Sequence, residues 1–245
     1  MKNTTLSNIA IMISLLGFLA AILMVFGSQF GLWDPIVGFS ASRNYNDYIG
    51  YVVLGLGVLA LVISLYQRQP KTIIKSLVAS LLGLAILAPT INSVFNKPAS
   101  YPPIHDITTN TDNPPEFTAI TEERTGAKNS LIYGGPEISK QQLQAFPNIK
   151  PIITPLSVQD AYIKALIIAH EMQWEIVSED VTSMRFEATD KTPFFNFSDD
   201  IVVKISDQEI GSRVDLRSVS RIGRGDRGVN AQRITKFIDL FENTK

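Results

Sequence analysis

Three long apolar runs lie within the first 93 residues of this chain, and none follows in the remaining 152. Ile9–Phe26 and Ile49–Tyr66 are each 18 residues without a charge, and Ser76–Ile91 is a third such run, led in by Lys75. Stretches of this length match the roughly 30 Å hydrocarbon core of a bilayer, whereas soluble core helices rarely stay apolar all round. The pattern predicts transmembrane helices at about 8–27, 49–67 and 72–92. It divides the chain into a membrane domain over residues 1–97 and a water-soluble domain over 98–245.

The overall charge of −1 hides an asymmetry between these halves. Residues 1–97 carry six Lys/Arg against two Asp/Glu, a net of +4; residues 98–245 carry sixteen against twenty-one, a net of −5. An acidic soluble half argues against nucleic acid as a partner, because phosphate binding needs a basic surface or stripe. The chain has no cysteine, which removes disulfides, thiolate catalysis and Cys-type zinc sites.

The first run is too long for a signal-peptide core, and Val25-Phe26-Gly27-Ser28-Gln29 is a poor cleavage site, so a retained anchor is expected. Short basic loops stay in the cytoplasm. The loop Gln67-Arg68-Gln69-Pro70-Lys71, continuing into Lys75, is the most basic stretch of the membrane half. This puts Met1 and the Arg68 loop inside and, after three crossings, the soluble domain outside the plasma (inner) membrane. The intervening loop Ser28–Tyr48 holds Phe30, Leu32, Trp33, Ile36, Val37 and Phe39 around Pro35, a composition suited to an interfacial re-entry at headgroup level.

Asn96–Pro103 reads as a stiff, extended exit from the membrane. Pro- and turn-rich sequence continues to about Pro155 with no long helix or strand readable in it, and is expected to wrap over the domain. Ser157 is a good N-cap for an amphipathic helix whose stripe is Val158, Ala161, Tyr162, Ala165, Ile168, Ala169 and Met172. Four alternating segments follow: Trp174–Val177, Thr182–Ala188, Asp200–Ser206 and Ser212–Ile222. A final helix carries Ile234, Phe237, Ile238 and Phe241, and Asp226 in the preceding Gly-rich turn suits its N-cap. The expected class is α+β: a two-layer domain with a four-stranded antiparallel meander and helices on one face.

Candidate chemistry is sparse. His105 and His170 are the two histidines. His105 precedes Asp106, and a base beside a carboxylate is the skeleton of general-base catalysis, which makes this pair the catalytic candidate. His170 lies off its helix's apolar stripe. No G-x-S-x-G elbow, phosphate-loop motif or metal-ligand cluster is readable, and no cofactor is implied. The polar face of the sheet is richer. Period two places Arg213, Asp215, Arg217 and Arg221 on one side of the last strand, with Lys204, Asp200, Arg185 and Glu187 on the same side of its neighbours. Arginine forks at about 6.5–7 Å intervals suit successive carboxylate or phosphate groups. Arg213, Arg217, Arg221, Lys204 and Arg185 are therefore the ligand-binding candidates. Two plainer arrangements compete with them: a ladder of cross-strand ion pairs, or a cover formed by the acidic wrap (Asp106, Asp112, Glu116, Glu122, Glu123).

Several ordered blocks of the soluble half carry a resemblance: Pro102-Pro103-Ile104-His105-Asp106-Ile107-Thr108-Thr109, Asn113-Pro114-Pro115-Glu116-Phe117, Asp199-Asp200-Ile201-Val202-Val203-Lys204, Gly211–Gly223 and Gly228-Val229-Asn230-Ala231-Gln232-Arg233-Ile234. Over about residues 100–242 the chain resembles an uncharacterised bacterial family, domain of unknown function 1499. The turn position where that family usually has Leu is Arg227 here. Members look like envelope proteins, and the resemblance implies no activity.

The reading that follows is a membrane-anchored envelope protein whose partners are membrane lipid and a protein or anionic ligand bound by the outer domain. The rivals are a hydrolase built on His105 and Asp106, and a structural subunit of a membrane complex.

Overall fold

A computed structural model describes residues 4–96 and 100–243. They fall into two compact units: Met1–Ala99 with Pro193–Asn196, and Ser100–Thr192 with Phe197–Lys245. The expected locations of Met1, and of the middle of the Asn96–Pro103 exit, lie outside the described residues.

The first unit holds three helices, α1 (Thr5–Phe26), α2 (Pro35–Tyr66) and α3 (Pro70–Phe95). All three are long and apolar enough to cross a membrane. The second begins fourteen residues earlier than its apolar run predicts, because Pro35 at its first turn is pre-set for helix and Asp34 stands at the N-cap position. At 32 residues it is about 48 Å long, more than a bilayer core needs. The predicted interfacial re-entry is thus a 3-10 turn (Gly27–Phe30) followed by helix, not an irregular loop. Trp33 sets the reversal. Its half-buried indole lies so close to Gly27 and Gly38 that a Cβ on either would sit 2.4 and 2.8 Å from ring atoms.

Small residues let α2 and α3 approach closely: a Cβ on Gly57 would lie 2.6 Å from the Ser80 nitrogen, and one on Gly83 would lie 2.6 Å from Leu54 backbone. At one end, the Ser7, Ser64 and Ser76 hydroxyls form a buried ring with contacts of 3.1, 3.1 and 3.4 Å. Lys75 donates to Asn8 Oδ1 at 2.7 Å beside this ring, so its ammonium has a protein partner. Towards the other end Asn46 donates to the Ile86 carbonyl at 2.8 Å, one turn before Pro89, the residue that interrupts the α3 hydrogen-bond ladder.

The second unit is built on a six-stranded sheet. Its strands are β1 (Asp106–Thr108), β2 (Ile152–Thr154), β3 (Glu175–Asp180), β4 (Arg185–Lys191), β5 (Ser198–Asp207) and β6 (Ser212–Ser220). The spatial order is β1-β6-β5-β4-β3, all antiparallel, with β2 also on β6. The last four strands are the meander the alternation predicts. The two short ones divide β6's outer edge: β1 pairs with Arg217–Val219 and β2 with Ser212–Val214. One sheet face carries Phe186, Ala188, Ile201, Val203, Ile205, Val214 and Leu216, all buried. Two helices cover it, α5 (Val158–Glu171) through Ala161, Ala165 and Ile168, and α6 (Val229–Asn243) through Ile234, Phe237 and Phe241. Trp174 stacks on Phe237 with ring centroids 5.5 Å apart.

The capping residues behave as their chemistry requires. Ser157 Oγ accepts from the Asp160 N–H at 3.1 Å, and Asp226 accepts from the Gly228 and Asn230 N–H groups at 3.0 and 2.6 Å. The Pro-rich wrap holds what its composition concealed, an eleven-residue helix α4 (Gly135–Ala145). Pro136 sits in its first turn, and the inward position belongs to a polar residue. Gln142, fully buried, accepts from Thr108 N–H at 3.0 Å and donates to Thr108 O at 2.6 Å. A helix anchored by an amide leaves little apolar periodicity to read.

Candidate functional site

The second face of the sheet carries the charged residues. Register pairs Arg185 with Lys204, Lys204 with Asp215, Ser206 with Arg213 and Val202 with Arg217. All these side chains therefore share one face, the one opposite α5 and α6. Residues 110–131 lie over much of it, and three buried carboxylates, with the arginines they bind, hold this cover and the sheet together.

Asp106 and Arg217 form the first pair. Arg217 Nε donates to Asp106 Oδ1 at 3.0 Å and Nη2 to Oδ2 at 2.7 Å, a bidentate fork. Two further guanidinium protons reach the Pro115 and Leu131 carbonyls at 3.3 and 2.6 Å, and the rings of Phe117 and Tyr133 flank its carbon at 5.5 and 5.4 Å. Arg217 is 1% exposed, so little of it is open to water or a ligand. Burial pushes the Asp106 carboxyl above its ordinary range, against the pull of Arg217.

Asp200 is the second, held between two arginines. Arg221 Nη2 donates to its Oδ1 at 2.7 Å and Arg124 Nε to its Oδ2 at 2.6 Å. Arg221 also donates to the Thr125 carbonyl at 3.1 Å, and Arg124 to that of Asn129 at 2.7 Å, so both arginines tie the cover to the sheet. Glu187 is the third. Its carboxylate accepts the consecutive backbone N–H groups of Thr118 (2.6 Å), Ala119 (3.1 Å) and Ile120 (2.7 Å), and the Thr118 hydroxyl at 2.9 Å. Three successive amides around one anion make a nest.

A separate polar cluster lies near the start of α6. Arg233 donates to Asp199 at 2.6 Å, to Asp190 at 2.8 Å, and to Asn230 Oδ1 and Ser218 at 2.6 and 3.1 Å. Asn230 donates to the His105 carbonyl and to Ser220 at 3.0 and 2.9 Å. Burial pushes the Asp199 carboxyl up, opposed by Arg233. All three guanidinium nitrogens of Arg233 thereby find protein acceptors.

No hydrogen bond joins the catalytic candidates among the described residues: Asp106 directs both carboxylate oxygens at Arg217, and His105 makes a 3.5 Å contact from Nδ1 to the Arg224 carbonyl. His170 is exposed at the end of α5. Among the described residues no group of three His, Asp or Glu could hold a metal ion.

Of the five ligand-binding candidates, Arg217 and Arg221 are thus spent on structure, and the other three stand together where the cover ends. A cleft of about 500 Å³ is lined there by Arg185, Lys204 and Arg213 from the sheet and by Asn110, Asn113 and Glu116 from the cover. Arg213 forms a bidentate pair with Asp215 at 2.7 and 3.0 Å, and this bond holds the guanidinium above its ordinary range. Arg185 donates through Nη2 to the Glu116 carbonyl, while its buried Nε has no protein acceptor. Lys204 is exposed, with no hydrogen bond or ion pair among the described residues. Alternation could find the face, but not which cations the partnering carboxylates of distant segments would take.

The blocks that carried the family resemblance coincide with these networks: Asp106 with Arg217, Asp200 with Arg221, and Asn230 with Arg233. A comparison with curated proteins found no match. The sequence profile of one family covers residues 106–241, more than half of the chain. The chain belongs to that family, described as protein of unknown function, DUF1499.

Proposed function

We propose that this is a membrane-anchored envelope protein whose soluble domain binds an anionic group in the cleft between Arg185, Lys204 and Arg213. One observation carries the reading: Lys204 is an exposed cation of this face with no hydrogen bond or ion pair among the described residues, and it lies opposite Arg185 in the β4–β5 register and Asp215 in the β5–β6 register. Arg213, paired with Asp215, borders the cleft as a rigid wall. An ion pair already satisfied by protein has little left to offer a ligand, which is why the buried arginines are set aside. The group bound belongs either to a free small anion or to a partner in the envelope. The hydrolase alternative has less support, since Asp106 is engaged by Arg217 and makes no hydrogen bond to His105 among the described residues.

Isothermal titration of the full chain in mild detergent with inorganic phosphate at low ionic strength tests the reading. Binding by the wild type that is lost in Lys204→Gln supports it; phosphate binding of equal strength in both, or in neither, refutes it.

The orientation belongs to the same proposal. The basic connection between α2 and α3, with Arg68 and Lys71, lies on the cytoplasmic side and residues 100–245 on the outer side of the plasma membrane. Protease added to spheroplasts should then remove the soluble domain. Protection of that domain, with cleavage near Arg68, would reverse the orientation.

A further inference from the structure

The cleft is more than a cationic spot, and its other walls narrow the ligand. Asn113 contributes an amide with no side-chain partner among the described residues. Asn110 spends its Oδ1 on the Asn113 N–H at 3.1 Å and keeps its amide protons. The Ser206 hydroxyl and the exposed Glu116 carboxylate complete the rim. A site for a bare anion needs donors alone. This one intersperses amide, hydroxyl and carboxylate groups that both donate and accept, over a volume larger than one phosphate or carboxylate fills. Its apolar lining is limited to the pyrrolidine surfaces of Pro114 and Pro115, too little for an acyl chain or an aromatic ligand. Glu116 and Asp215 also count against a polyanion, since a second negative group would meet a carboxylate.

We infer that the ligand is an acidic sugar: a single anionic group, carboxylate or phosphate, carried on a polyhydroxylated ring. Lys204, beside the Arg185 guanidinium, takes the charge, while Asn113, Ser206 and Glu116 take ring hydroxyls. Glu116, an acceptor only when ionised, suits a pair of adjacent hydroxyl donors. The inference rests on the anion-binding reading above and specifies what the anion is attached to.

The test is titration of the full chain in mild detergent with five probes: glucuronate, glucose 6-phosphate, inorganic phosphate, acetate and glucose. Glucuronate, glucose 6-phosphate or both should bind at least about tenfold more tightly than phosphate and acetate, a difference of about 1.4 kcal/mol. Glucose should bind far more weakly than either acid. The glucuronate and glucose 6-phosphate arms distinguish a uronic acid from a sugar phosphate. Lys204→Gln should weaken every anionic probe, whereas Asn113→Ala should weaken only the sugar acids. Asn113 is exposed, so this variant should keep the wild-type melting temperature. If phosphate binds as tightly as both sugar acids, the acidic-sugar inference falls and the anion site stands. If no anionic probe binds, both fall.

Discussion

Replacing Arg217 with Met should cripple the soluble domain while touching none of the residues proposed to bind ligand. The side chain is 1% exposed, and its loss would strand Asp106, itself buried, without a counter-charge. Breaking a buried pair from one side typically costs about 3–5 kcal/mol, because the remaining charge stays desolvated. The Pro115 and Leu131 carbonyls would lose their donor too, and the ring contacts with Phe117 and Tyr133 their cation. For a domain of this size, each kcal/mol corresponds to about 3–4 °C in melting temperature, so a fall of roughly 10–20 °C is expected. Hydrogen exchange of β5 and β6 amides in the full chain, with thermal unfolding followed by Trp174 fluorescence, would measure it. The double variant Asp106→Asn with Arg217→Met removes the stranded charge and should recover a large part of the loss, a coupling of several kcal/mol. A single variant costing under about 1 kcal/mol, or a double variant as unstable as the two singles summed, would refute the reasoning.

Two other perturbations probe the cover. Glu187→Gln replaces two accepting oxygens with one and turns an NH2 group towards two of the three backbone donors, so it should cost about 2–3 kcal/mol and speed hydrogen exchange in residues 116–131; unchanged exchange there would show that the nest does not hold the segment. Burial pushes the Tyr133 phenol up to about 12. The folded chain therefore keeps a proton that the unfolded chain loses near pH 10, and stability must fall as pH rises from about 10 to 12. Tyr133→Phe should flatten the decline in melting temperature across that window, and an unaltered slope would contradict the assignment.

Elements with strong periodicity were legible in the sequence because burial and spacing coincide there. The three apolar runs, the Ser157-capped α5, the Asp226 cap and the β3–β6 meander all show a repeating apolar position. Alternation also assigned Arg185, Glu187, Lys204, Arg213, Asp215 and Arg217 to one face, as the strand register has them. Where polar groups do the packing, the signal vanished. Helix α4 turns a glutamine inward, β1 and β2 are three residues each, and α2 extends through a polar stretch that reads as loop. The site suffered for a related reason. Period two shows that arginines share a face, but the carboxylates and carbonyls that consume Arg217 and Arg221 come from residues about 20 to 110 positions away. No local pattern could separate a structural arginine from a free one.

The arginine face is internal structure over most of its length, and its Lys204 end is the proposed ligand site. Amine acetylation of the full chain, read lysine by lysine by mass spectrometry with and without inorganic phosphate, tests it directly. Lys204 should react readily in the free chain and be protected by phosphate, while Lys140 and Lys236, which do not line the cleft, keep their rates. A Lys204 that is unreactive without phosphate, or that reacts equally fast at saturating phosphate, would contradict the account.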